Sequence, residues 1–140
     1  MDYEHMTGPC GQDCFNCIAY LANEDPEMRA MVADKTGLPL EESVCPGCRS
    51  VNGKCPLLKV FEVECHIYPC AEKRGVKLCC DCSNFPCDLL HPYLDKADMV
   101  SHNIKVFNLC LIKKMGLESW AKNKAAAVHE DYFHKWFSLK

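Results

Sequence analysis

The 140 residues are 49% hydrophobic and 25% charged with a net charge of −3, values ordinary for one soluble globular domain and short of the basic face that nucleic-acid binding demands. The 13 cysteines are the outlier, and in a short chain they mean either a secreted disulfide framework or intracellular metal sites. The N-terminus MDYEHMTGPC lacks a basic and an apolar signal region, the cysteine count is odd, and Cys-x2-Cys spacings suit chelation better than bridging. The reading is therefore a metal-binding protein of the reducing cytoplasm.

Charge divides the chain. Residues 1–94 hold 8 Lys and Arg against 14 Asp and Glu, whereas residues 95–140 hold 8 against 5, a mild basicity that reads as a solvated helix face. The expected fold is mainly α: a small single domain over 1–140, with an irregular Cys-rich zinc-knuckle lobe over 1–94 and a C-terminal antiparallel helical pair over 95–140. The apolar run Val106 to Ile112 is too short to cross a bilayer.

In chain order, Cys10-Gly11-Gln12-Asp13-Cys14-Phe15-Asn16-Cys17 opens the ordered part as a loop, and Ile18–Ala22 leaves it as a helix. Asp25-Pro26 predicts a helix start, an acid at the N-cap followed by proline at the first position, with Met28, Met31 and Val32 on one face and Gly37 as the stop. Cys45-Pro46-Gly47-Cys48 is a tight knuckle. Leu57–Glu64 reads as a loop or short strand, a short helix spans about Pro69 to Lys73 and closes at Gly75, and another begins near Pro86 and carries Leu89, Leu90, Tyr93 and Leu94. The tail predicts an amphipathic helix from Ala97 to Lys114 ended by Gly116, then a second from Leu117 carrying Trp120, Ala121, Val128, Tyr132 and Trp136.

The cysteines sort by spacing. Cys14/Cys17 and Cys45/Cys48 spell two Cys-x2-Cys pairs, the arrangement of a four-cysteine zinc site, with a helix in the spacer to bring the pairs together. Cys70, Cys79, Cys82 and Cys87 make a second; of the vicinal pair Cys79 takes the ligand role and Cys80 points away. Cys10, Cys55 and Cys65 are left over and suggest an incomplete third site, with His66 as a candidate partner. Cys110 reads as a buried small hydrophobe, and His91, His102, His129 and His134 as surface or capping residues. Zinc is the expected cofactor, because all-thiolate tetrahedral sites favour zinc or iron–sulfur and zinc adds no redox liability; an iron–sulfur cluster is the alternative.

These residues resemble an uncharacterised family of small cysteine-rich bacterial and archaeal proteins, regarded as zinc-binding and known as a domain of unknown function. The resemblance is carried by CGQDCFNC with Ala19-Tyr20, by CPGCR, by Cys-x4-Cys-Ala-Glu-Lys-Arg-Gly-Val from Cys65 to Val76, by Cys-x2-Cys-Ser-Asn-Phe-Pro-Cys-x-Leu from Cys79 to Leu89, and by MGLESW at Met115–Trp120. It covers roughly residues 8 to 122, departs at Cys55, Cys80, Cys110 and the apolar 57–64 stretch, and implies the fold and zinc without an activity. The functional expectation is a structural zinc-binding protein acting as a binding or scaffolding module rather than an enzyme, with a protein partner or small ligand and neither membrane nor nucleic acid. The alternative is an iron–sulfur protein of redox or radical type.

Overall fold

The computed structural model describes residues 1–136, and the helices among them are α1 (Ile18–Leu21), α2 (Pro26–Thr36), α3 (Pro56–Val60), α4 (Ile67–Arg74), α5 (Lys105–Met115), α6 (Leu117–Trp120) and α7 (Ala126–His134). No strand occurs among the described residues; a lone bridge pairs Thr7 with Asp13. The fold is mainly helical, as expected.

Local chemistry sets the better-defined ends. Asp25 caps α2 by accepting from the amides of Glu27 at 2.9 Å and Met28 at 3.1 Å, and Gly37 closes the helix in the left-handed conformation. Gly75 closes α4 in the same way, after basic Lys73 and Arg74 in its last turn.

Four expectations are corrected. Leu57–Glu64 is neither loop nor strand at its start, because Pro56 sits at the first position of α3 and Glu62 turns the chain away at φ 55°. The helix from Pro86 shrinks to one 3-10 turn, Asp88–Leu90, since His91 is held extended ahead of Pro92. The helix from Ala97 begins only at Lys105: Lys96 reverses the backbone at φ 56°, and the Asn103 side chain donates to the Tyr93 carbonyl at 2.7 Å and accepts from its amide at 2.8 Å. The last helix ends at His134, leaving Trp136 beyond it and 92% exposed.

The tail is an antiparallel pair. Gly116 reverses the chain, Trp120 Nε1 donates back to Asn108 at 3.3 Å, and the Tyr132 hydroxyl donates to the Val100 carbonyl at 3.5 Å. Between α6 and α7 a π-helical turn, Ala121–Ala125, buries Ala121 and Ala125 against the core.

Two apolar clusters result. The larger joins Ile67, Leu78, Cys80 and Leu90 to Leu109, Ile112 and Trp120 of the hairpin; the smaller consists of Ala19, Ala22, Val32 and Cys45 around α1 and α2.

Candidate metal centre

The loop Cys10–Asp13 is held by the hairpin residue by residue. The Gly11 carbonyl accepts from Asn108 Nδ2 at 2.9 Å, Gln12 Nε2 donates to Ser101 Oγ, and Asp13 Oδ2 accepts from His129 Nδ1 at 3.1 Å and from Asn16 at 2.8 Å. Gly11 has no alternative: at φ +84° a Cβ would stand 2.9 Å from Leu109 Cγ and 3.0 Å from the Lys105 carbonyl. Phe15 stacks edge-on against Trp120 at 5.8 Å. Asp13 is fully buried, and its Oδ1 has no hydrogen-bond partner among the described residues.

This loop presents Cys10, Cys14 and Cys17 to the knuckle Cys45–Cys48, which is tied down from its own side. Cys45 N donates to the Ala19 carbonyl at 2.8 Å, and Arg49 links the carbonyls of Thr7 (2.9 Å) and Lys77 (2.7 Å). Seven cysteines thereby gather in one lobe. Cys45 Sγ lies 2.8 Å from Cys55 Sγ, and Cys14 is near enough to Cys48 to raise its thiol. Cys10 and Cys48 face the same small space over Gly8, at 3.5 and 3.8 Å from where a Cβ would stand, and Cys65 is within electrostatic reach of Cys10. Cys55, which spacing left unassigned, is thus the thiol against Cys45.

Cys65 Sγ accepts from the Tyr68 amide at 3.5 Å, and the dipoles of the nearby Gln12, Ala19, Gly47 and Leu57 amides favour the thiolate at Cys10, Cys17, Cys45 and Cys55. Amide hydrogens two or three residues downstream stabilise thiolate over thiol. Burial opposes them: it pushes the Cys10 thiol up to about 11 and raises Cys17, whereas the hydrogen bond from Cys45 holds Cys55 down near about 7 while raising Cys45 itself. Cys48 is raised, first by the nearby Cys14.

The second group, Cys70, Cys79, Cys82 and Cys87, lines one cleft of about 240 Å³ together with Arg74, Asn84 and Phe85. The structure brings together the four that spacing grouped. Burial, then the nearby thiols of Cys10, Cys87, Cys70 and Cys82, pushes Cys79 up to about 12. Arg74 Nη1 donates to Cys82 Sγ at 3.7 Å, and the nearby Cys70 and Cys82 raise the guanidinium further. Cys80 turns into the core, its thiol toward Asp81 and its carbonyl accepting from Lys113 at 3.5 Å. A larger, open depression of about 690 Å³ beside Leu21 and Glu24–Met28 is lined by no thiol.

Other assignments change. Cys110 is exposed, not buried, because α5 turns Asn108, Leu109 and Ile112 inward. His66 is exposed at the N-cap of α4, and Asn108, a polar residue in helical register with Ile104 and Leu111, is fully buried. His129 is not a plain surface residue, since its ring reaches Asp13.

All thirteen cysteines are free thiols. Among the described residues no three His, Cys, Asp or Glu side chains close on one point as a finished coordination sphere, so the sulfurs are neighbours rather than an assembled cage. The donor set fits a thiophilic cation in chemistry: sulfurs in both groups, a backbone amide on Cys65 in the larger, and a guanidinium beside Cys82 in the smaller. Among the described residues no helix is long and apolar enough to cross a membrane.

Fold and site together define a small helical protein built around cysteine-rich loops. The chain belongs to the family described as Protein of unknown function (DUF3795), whose pattern it matches over residues 6–92, so the MGLESW segment and the hairpin lie outside the matched region. No curated protein and no solved structure matches it.

Proposed function

We propose that this is a structural zinc-binding protein that serves as a binding or scaffolding module for a protein partner or small ligand. The observation that supports the reading is that Cys70, Cys79, Cys82 and Cys87 line one cleft, with the Arg74 guanidinium against the Cys82 sulfur. Four thiolates would complete the tetrahedral sphere of a zinc ion, and Arg74 would offset part of the resulting double negative charge. A sphere filled by four protein sulfurs offers no position for substrate water, which favours a module over a hydrolase. The zinc would act by ordering the loops Cys65–Cys87, and the free thiols it needs are maintained in the reducing cytoplasm.

Native mass spectrometry with elemental analysis on anaerobically prepared protein tests this. The expected result is stoichiometric zinc that disappears from this cleft in Cys82→Ser. Less than one metal per chain would sink the reading, and stoichiometric iron with sulfide would replace it by an iron–sulfur protein.

A further inference from the structure

The knuckle Cys45–Cys48 sends its two sulfurs to different places. Cys48 Sγ lies over Gly8, 3.8 Å from where a Cβ would stand, whereas Cys45 Sγ meets Cys55 Sγ at 2.8 Å. Non-bonded carbon atoms settle at about 3.5–4.0 Å and sulfur is larger, so the second contact is closer than packing alone produces.

Groups outside the pair hold both residues in place. The Cys45 amide donates to the Ala19 carbonyl at 2.8 Å, and the Cys45 carbonyl accepts from Asn23 Nδ2 at 2.8 Å, which ties the backbone behind this sulfur to α1 and the turn after it. On the other side the Gly53 amide donates to the Cys48 carbonyl at 2.8 Å and the Lys54 amide to the Val51 carbonyl at 2.9 Å, so the chain folds back from the knuckle to Cys55. Gly53 stands at φ +78°, where a Cβ would lie 2.5 Å from Tyr68 Cβ, and this fixes the return against α4. A disulfide bond is about 2.05 Å long, so joining the two sulfurs closes a gap of under about 1 Å.

The two thiols differ in access. Cys45 is 7% exposed and Cys55 half-buried, so a small oxidant from solvent reaches Cys55 first and finds Cys45 directly behind it. We propose that Cys45 and Cys55 form a hydroperoxide-reactive thiol pair, in which Cys55 attacks the peroxide and Cys45 resolves the product to a disulfide. The Cys55 sulfur bonds to one peroxide oxygen as the O–O bond breaks, and the departing oxygen takes the thiol proton and leaves as water or, from an organic hydroperoxide, as an alcohol. Cys45 then attacks the sulfenic sulfur of Cys55: the S–S bond forms, the S–O bond breaks, and the hydroxyl leaves as water with the Cys45 proton. Two thiols lose two electrons and the peroxide gains them. None of the four sulfurs of the Cys70–Cys87 cleft takes part, so the larger lobe carries this chemistry independently of the zinc reading. An unfolded chain has no reason to pass over Cys48, three residues from Cys45, for Cys55, ten away; the fold supplies that reason.

The test treats the full chain, reduced and supplied with zinc, with one equivalent of hydrogen peroxide, alkylates the remaining cysteines under denaturing conditions and maps bridges by peptide mass spectrometry. The expected product is lighter by two hydrogens before alkylation, has lost two of its 13 alkylatable cysteines, carries its bridge at Cys45–Cys55 and is restored by dithiothreitol. Cys45→Ser should stop the reaction at Cys55 sulfenic acid, trapped by dimedone, and Cys55→Ser should leave Cys45 unoxidised. A bridge between Cys45 and Cys48, an even scatter of bridges, or oxidation confined to other thiols overturns the proposal. The same Cys45–Cys55 preference in the urea-unfolded chain overturns it as well, since the fold would not then be its cause. The map of the unsubstituted protein decides the matter even if a variant fails to fold. Zinc counted on the same sample separates the two readings: metal retained without the Cys45–Cys55 bridge sinks the thiol pair alone, whereas the bridge without metal supports the pair and sinks the zinc reading.

Discussion

The loops that carry the thiols and the hairpin that clamps them are held together by different forces. Around α1 and α2 the buried side chains are Ala19, Ala22, Val32 and Cys45, three of them small, whereas the hairpin contributes Leu109, Ile112 and Trp120 to a continuous core. A fully buried valine or leucine contributes about 1.5–3 kcal/mol and an alanine much less. Ordering each loop residue costs about 1–2 kcal/mol in backbone entropy. Apolar burial therefore accounts for the hairpin but leaves the loops short, and the deficit falls where the sulfurs are. In this molecule the hydrophobic effect positions a scaffold, and coordination chemistry is the candidate for what fixes the loops.

That contrast breaks most visibly when metal is withdrawn. A strong chelator is expected to abolish hydrogen-exchange protection across residues 14–55 and 65–87 while Lys105–His134 retains part of its own, because a structural zinc contributes on the order of 10–16 kcal/mol of apparent binding energy. Uniform loss over the whole chain, or no loss, would show that the two regions do not differ in this way.

Trp120→Ala attacks the other side. Its side chain is fully buried, packs on Phe15 and donates to Asn108, so denaturant unfolding should show a loss of about 3–5 kcal/mol, with zinc stoichiometry unchanged wherever the variant is folded. His129→Ala removes one of two donors to a carboxylate that is fully buried, and a smaller cost of about 1–3 kcal/mol is expected from the same measurement. Cys110→Ser is the other end of the scale. The residue is exposed on α5, so stability should stay within about 0.5 kcal/mol and metal content should not change. Loss of metal in that variant would mean that the division of the cysteines is wrong.

Local signals were legible where they depended on neighbours in sequence. The Asp25-Pro26 start and the Gly37 and Gly75 stops follow from residues a few positions apart. The side-chain hydrogen bonds of Asn103 to Tyr93, which stand where the predicted helix had its first turns, cannot be read from a 3.6-residue period. The partner of Cys45 is hidden for a related reason: Leu57–Glu64 reads as a loop or short strand, so nothing in the sequence places Cys55, at the N-cap of α3, against the knuckle. Asn108 and His129 escaped because their reason for being where they are is a loop about a hundred residues earlier.

The grip of Asn108 and His129 on the Cys10–Asp13 loop also has a consequence in time. During synthesis at about 5–20 residues per second, the interval between Cys14 and His129 takes on the order of ten seconds. Throughout it the first three thiols are outside the hands that will later hold them, open to metal, oxidant or chaperone. We expect a thiol-reactive pulse to label Cys10, Cys14 and Cys17 strongly in ribosome-bound chains arrested before Lys105, and weakly in the released, folded protein. Equal labelling of both would mean that the loop closes without its clamp. On this account the order in which the chain is born sets when these sulfurs are most exposed to their surroundings.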